Sequence, residues 1–262
     1  FYPFLEYNKS IENSKLNIIN KSGIKLRTKN VESVFAKEQL SYREEIAYTM
    51  KRILFAAENM DRNEVQRLVK LALPKVPDAE HQRIFDYNHA IALWKLRKHK
   101  DAEDLCSKVI SQYYELIGMS SQEVIGKNAD VLWDLINKTE NIHEHLKHLA
   151  DALELLTIVR KQQGKASPFA RIHAMKFYNM VNAPESMVRV GQDLVDEFVE
   201  MEDYEGARQV MEQHVLPVVN KVGLVPARIV CAFLLAQPFS RQSECVIYGT
   251  PKKYEKRSFK VV

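Results

Sequence analysis

The chain has 262 residues, 46% of them hydrophobic and 27% charged, with a formal net charge of +4. That apolar share supports a continuous core and excludes a disordered composition, and 8 Gly and 9 Pro are too few for the turns of a many-stranded sandwich or barrel. The mildly basic balance permits a polyanionic partner without demanding one.

The opening segment FYPFLEYNKS has no basic region followed by an apolar stretch and a small-residue cleavage site. It also lacks a starting Met, so the expectation is a mature form or an excised piece of something longer. The most apolar stretch, Ile229 to Ala236, is too short to cross a bilayer. Cys106, Cys231 and Cys245 are odd in number and widely spaced, which fits neither a disulfide framework nor a zinc pattern.

Residues 1–30 read as an irregular lead-in or partial repeat, and helical periodicity governs 31–240. Ile46, Met50, Ile53, Leu54 and Ala57 recur at three- and four-residue steps, as do Val65, Leu68, Val69 and Ala72 before Pro74 and Pro77 stop the chain. A second hairpin begins near Asp78. Its first helix carries Phe85, Ala90, Leu93 and Trp94, and its second carries Ala102, Leu105, Cys106 and Val109. A further helix is expected from about Ser121 as N-cap, carrying Val124, Ala129, Leu132, Trp133 and Ile136. Another runs from Ile142 to Lys161 with a stripe of Leu146, Leu149, Leu153 and Leu156. Ser167-Pro168 marks a helix start, Pro184 restarts the chain, and Leu194–Glu200 with Tyr204–Val219 forms the last clear hairpin. Residues 241–262 read as a basic tail or linker. Both tryptophans are expected as core anchors, and Met175, Met180, Met187 and Met201 as packing residues.

The hairpins repeat. Aligning Ala102 with Ala207 places Leu105 beside Val210 and Cys106 beside Met211, at a spacing of 105 residues. An earlier partial copy puts Val65 near the alanine position, 37 residues before Ala102. A small residue there lets two helices approach, and the large apolar residues after it fill the space beneath. Connectors repeat too: Asn20–Leu26, Asn220–Pro226 and, more weakly, Lys161–Pro168 each place Gly where a left-handed cap would end a helix.

Asp203, Glu205, Ala207, Arg208 and Val210, followed by Lys221, Gly223, Leu224 and Pro226, resemble the phrases that mark a pentatricopeptide (PPR) repeat, although the stretch between the two phrases is about six residues too long. Tyr87, Asn88, Ala90, Leu93 and Ala102 sit at spacing similar to a tetratricopeptide (TPR) repeat. The long, irregular units resemble those of the mitochondrial leucine-rich PPR-motif family. The resemblance implies an all-α fold, an α-solenoid of antiparallel helix-hairpin repeats. It implies single-stranded RNA as partner, in mRNA stability or translation in the mitochondrial matrix. The alternative is a TPR-type scaffold that grips a protein in its groove within a larger assembly, with a cytoplasmic location as the other setting.

On the PPR alignment the base-reading positions fall at Asn88 and Asp193, both of which could equally be solvated helix residues or caps. Candidate phosphate contacts are Lys95, Arg97, Lys98 and Lys100, then Lys21, Lys25, Arg27 and Lys29, then Lys221 and Arg228. The densest positive cluster, Lys252, Lys253, Lys256 and Arg257 with Lys260, interleaves Tyr254 and Phe259, which suits base stacking. Basic turns are more commonly just solvated. His143, His145 and His148 lack the H-E-x-x-H spacing of a zinc site and read as solvated or helix-facing, so no metal and no cofactor are expected. No phosphate-cradling glycine loop and no nucleophile elbow occurs, and the chain reads as a non-enzyme.

Overall fold

A computed structural model describes residues 42–125, 127, 129–136 and 140–223, and every regular element among them is helical. The chain divides into two compact units, Phe1–Tyr48 and Thr49–Val262. Of the first, the described residues are the opening turns of helix α1 (Tyr42–Glu58). The second unit holds the remainder of α1 and all later elements.

Local chemistry sets each boundary. Asp61 starts α2 (Arg62–Ala72) by accepting the Glu64 N–H at 3.0 Å, and Pro74 closes it in a 3-10 turn, Leu73–Lys75. Asp78 starts α3 (Ala79–Lys95) by accepting the His81 N–H at 2.9 Å. Helix α4 (His99–Leu116) completes that hairpin. The helix expected from Ser121 to Ile136 is instead two short ones, α5 (Ser121–Ile125) and α6 (Ala129–Ile136), on either side of the helix-poor sequence Gly126-Lys127-Asn128. The N-cap of α5 is Ser120, not Ser121. Glu123 returns a carboxylate to the Ser120 N–H at 2.7 Å while Ser120 Oγ accepts from Glu123 N at 3.3 Å, a capping box.

Helix α7 (Ile142–Lys161) follows, then α8 (Pro168–Met180) and α9 (Pro184–Glu200), each of the last two with proline in its first turn. Ser167 holds the position before α8 but its hydroxyl caps nothing; its backbone N–H donates to the Glu197 carboxylate instead. Helix α10 (Tyr204–Val210) widens into a π-turn, Met211–Val215, before α11 (Leu216–Val222). Pro217 supplies the reason: it has no N–H for the preceding turn, and its ring would crowd the carbonyl four residues back in a regular helix.

Four hairpin turns share one backbone form. Met60, Arg97, Asn182 and Glu202 stand in the left-handed region at φ 57, 59, 54 and 61°. The next N–H in each turn reaches back five residues: Asp61 to Ala56 O, Lys98 to Leu93 O, Ala183 to Tyr178 O and Asp203 to Phe198 O, at 2.8–2.9 Å. Five residues past each left-handed position lies a buried side chain: Val65, Ala102, Met187 and Ala207. The alignment of Val65, Ala102 and Ala207 therefore corresponds to equivalent places in equivalent turns, and the sequence did not disclose the Met187 copy. Of the expected left-handed glycines, Gly164 (φ 69°) and Gly223 (φ 73°) are so placed, and Gly23 lies outside the described residues.

Successive helices of the second unit pack on one another: α3 on α4, α4 on α7, α7 on α8, α8 on α9, and α9 on α10 with its π-turn, while α5 and α6 rest against α8. Ile53, Ala57, Val65, Leu68, Phe85 and Leu96 make one apolar cluster. Helix α7 is flanked on two sides, and consequently Leu146, Leu149, Ala150, Leu153, Leu155, Leu156 and Val159 are all buried. Neither tryptophan is fully buried. Trp94 is half-buried and donates its Nε1–H to Gln162 Oε1 at 2.8 Å, because the indole needs a polar partner at the packing edge. Trp133 lies with its ring centroid 4.7 Å from that of His143. Met175 and Met187 are core residues, whereas Met201 sits exposed in the α9–α10 turn.

Candidate functional site

The C-terminal ends of α1, α3, α7 and α9 are tied to one another in series. Lys95 Nζ bonds Glu58 at 2.9 Å, Trp94 bonds Gln162, and Lys161 Nζ lies 3.1 Å from Glu200. Glu103, at the start of α4, takes Arg160 Nε and Lys165 Nζ at 2.8 Å each and Gln163 Nε2 at 3.0 Å. Those donors hold its carboxyl down at about 2. The basic turn at 95–100 is thus brought against the basic segment 160–165, although the two lie far apart in sequence.

The candidate cations divide accordingly. Lys95 is committed to Glu58, and Lys98 lies a loose 3.9 Å from Asp101. Arg97 and Lys100 are exposed beside them, and Lys221 is exposed near the end of α11. Lys21, Lys25, Arg27, Lys29, Arg228, Lys252, Lys253, Lys256, Arg257 and Lys260 lie outside the described residues, with Cys231 and Cys245.

The two base-reading positions have other partners. Asn88 is buried and donates its Nδ2–H to the Ile84 carbonyl at 2.8 Å within its own helix. Asp193 is partly exposed, and its Oδ2 lies 3.3 Å from Arg171 Nη1. Burial raises its carboxyl above the ordinary aspartate range, and the arginine works the other way. The phrase Asp203-x-Glu205-x-Ala207-Arg208 has a wholly local explanation. Asp203 accepts the Gly206 N–H at 2.9 Å, Glu205 pairs with Arg208 at 2.9 Å, and Ala207 is buried against α9.

Of the histidines of α7, His145 and His148 face inward and His143 is exposed. His148 Nδ1 lies 3.1 Å from Tyr113 Oη, and burial presses its pKa down to about 4, with His145 lowered by the same cause. His173 pairs with Tyr114 Oη at 2.6 Å and is likewise pressed to about 4. Cys106 is buried, and its thiol is pushed up to about 12. Among the described residues no group of three or more His, Cys, Asp or Glu could hold a metal ion, and no helix is long and apolar enough to cross a membrane.

Two buried polar clusters were not singled out from sequence. In one, Arg171 reaches Glu197 at 2.7 Å; in the other, Asp151, Glu154, Tyr178 and Arg189 interlock between helices. Sequence carried no signal for the second: Asp151 and Glu154 lie off the Leu146, Leu149, Leu153 and Leu156 stripe, and the packing of α7 against both α4 and α8 is what buries them. No family model, no curated protein and no solved structure matches this chain.

Proposed function

We propose that this chain is a non-catalytic helical-repeat protein of PPR/TPR-like, solenoid type that binds single-stranded RNA chiefly through phosphates. One observation carries the reading: the Trp94–Gln162 hydrogen bond joins two basic segments, 95–100 and 160–165, into one edge. There Lys95, Arg97, Lys98, Lys100, Arg160, Lys161 and Lys165 outnumber Glu58, Asp101, Glu103 and Glu200, the carboxylates that pair with them. A surplus of cations along an edge suits a flexible polyanion and gives salt-sensitive affinity. Because the Asn88 amide is spent on its own helix, base reading plays a lesser part than phosphate contact. The resemblance to mitochondrial PPR-motif proteins supports a role in mRNA stability or translation in the matrix.

The test is a gel shift with single-stranded RNA over a salt series, comparing the native chain with Arg97→Glu/Lys100→Glu. Binding that weakens with salt, and at least tenfold further with the double reversal, is expected. Absence of binding at low salt sinks the proposal.

Phe55 and Leu71, 64% and 50% exposed on α1 and α2, favour the second reading, a scaffold for a protein partner. That reading predicts a co-purifying protein whose retention is indifferent to RNase.

A further inference from the structure

We propose that Asp151 is held as a neutral carboxylic acid whose proton ties α7 to α8 and α9, so that its ionisation loosens the contact among these three helices. Proton counting carries the proposal. Tyr178 Oη lies 2.6 Å from Asp151 Oδ1 and 2.8 Å from Glu154 Oε2. A phenol has one hydrogen and can donate to only one of them. With both carboxyls ionised, the other short contact would set lone pair against lone pair inside the protein. A second proton is therefore required on one carboxyl.

Glu154 does not carry it. Its two oxygens accept from Arg189 Nε and Nη2 at 2.8 and 2.9 Å, the forked geometry of an ionised pair. Asp151 has no such cation. It is 3% exposed, its Oδ2 is buried without a hydrogen-bond partner, and Tyr178 is the group that meets its Oδ1. The order of donation is then Asp151 to Tyr178, Tyr178 to Glu154, with the charge of Glu154 answered by Arg189.

The groups facing Asp151 come from each packed element. Helix α7 contributes Lys147 and Glu154, α8 contributes Tyr178 and α9 contributes Arg189. Tyr87 of α3 also senses Asp151, and Cys106 of α4 adjoins that tyrosine; burial raises both their pKa values, so neither supplies a charge near neutrality. Desolvation lifts the Asp151 carboxyl to about 6, against the pull of Tyr178, Lys147 and Arg189. Loss of the proton leaves a buried anion and breaks one of the two bonds to Tyr178, so the junction loosens as pH rises toward about 6.

The experiment is a pH titration of side-chain carboxyl resonances in the full chain labelled with 13C-aspartate. One aspartate is expected to titrate near pH 6, and its signal should be missing from Asp151→Asn. Asparagine can donate to Tyr178 without a proton to lose, so the melting temperature of wild type should fall relative to Asp151→Asn as pH rises from about 4 to about 6 and level off above that. If Asp151→Asn fails to fold, Tyr178→Phe identifies the same signal by shifting its midpoint. Aspartate carboxyls that all titrate in the ordinary range near 4 overturn the proposal.

Discussion

The guanidinium of Arg171 meets the carboxylate of Glu197 at 2.7 Å with both residues inside the core, 2% and 6% exposed. The pair clips α8 to α9. Glu197 also receives the Ser167 N–H, so one side chain fixes both the start of α8 and its neighbour. Removing one partner of a buried ion pair costs about 3–5 kcal/mol when the other charge is left alone, and here Asp193, 3.3 Å from Arg171, answers part of that charge and sets the loss toward the lower end. Glu197→Ala should therefore lose about that much in urea unfolding, and Glu197→Gln, which keeps an acceptor for the Ser167 N–H, should lose less. A loss under about 1 kcal/mol for the alanine variant would show that the pair is not closed.

At Gly191 the backbone of α9 comes close to the π-turn. A Cβ built there would lie 2.5 Å from Val215 Cγ2 and 3.3 Å from Met175 Cε. Methionine can swing away, but valine is stiff at χ1 and buried. Overpacking of this kind costs about 1–3 kcal/mol, so Gly191→Ala should unfold earlier in denaturant despite the better helix propensity of alanine. Pairing it with Val215→Ala should recover part of the loss, and failure of that rescue would place the strain elsewhere.

The histidines give an acid limb. His148 and His173 are pressed to about 4 by burial, below the ordinary value of 6.5, so the unfolded chain binds more protons than the folded one between those limits. Stability from these groups is thus complete above about 6.5 and falls as pH drops toward 4. Each withdraws roughly 3 kcal/mol of stability as pH falls from about 6.5 to about 4. Asp151 acts in the opposite sense over an overlapping range, so the acid loss should be steeper in Asp151→Asn than in wild type. Histidine ring proton signals from residues 148 and 173 that stay untitrated down to about pH 5 would agree; signals moving near 6.5 would not.

The helices were legible in sequence because their causes are local. Asp78, Pro168 and Pro184 start elements through capping or fixed φ, and the Ile53, Val65 and Leu68 periodicity finds the buried faces. The common turn register was legible at Ala102 and Ala207 because both turns carry the same small residue there. It was hidden at Met187, where a flexible thioether fills the same place. The sites were harder. Asn88 offered an amide at a recognisable spacing, but no pattern in one dimension states that the amide folds back onto Ile84. The basic edge depends on Trp94 and Gln162 meeting across 68 residues, which composition cannot encode. Arg171 looked like any helix arginine until Glu197 and Asp193 closed around it.

Arg97 separates stability from binding in a single residue. It stands at φ 59°, where a side chain costs an L-residue about 1 kcal/mol and glycine is at ease. Asn182 occupies the equivalent place at φ 54° in the α8–α9 turn, at the end of α9 away from the basic edge. Replacing either by glycine relieves the same backbone conformation, so both variants should gain up to about 1 kcal/mol in thermal unfolding. Their effect on RNA should differ. Arg97→Gly deletes an exposed cation from the edge, and a protein that binds through phosphates loses affinity there and loses about one unit from its salt slope. Asn182→Gly removes no charge, at the opposite end of α9 from Glu200, and should leave the slope as it was. A sturdier Arg97→Gly with unaltered RNA affinity would move the interface away from this turn, while loss of stability in both variants would mean that the shared turn geometry is wrong.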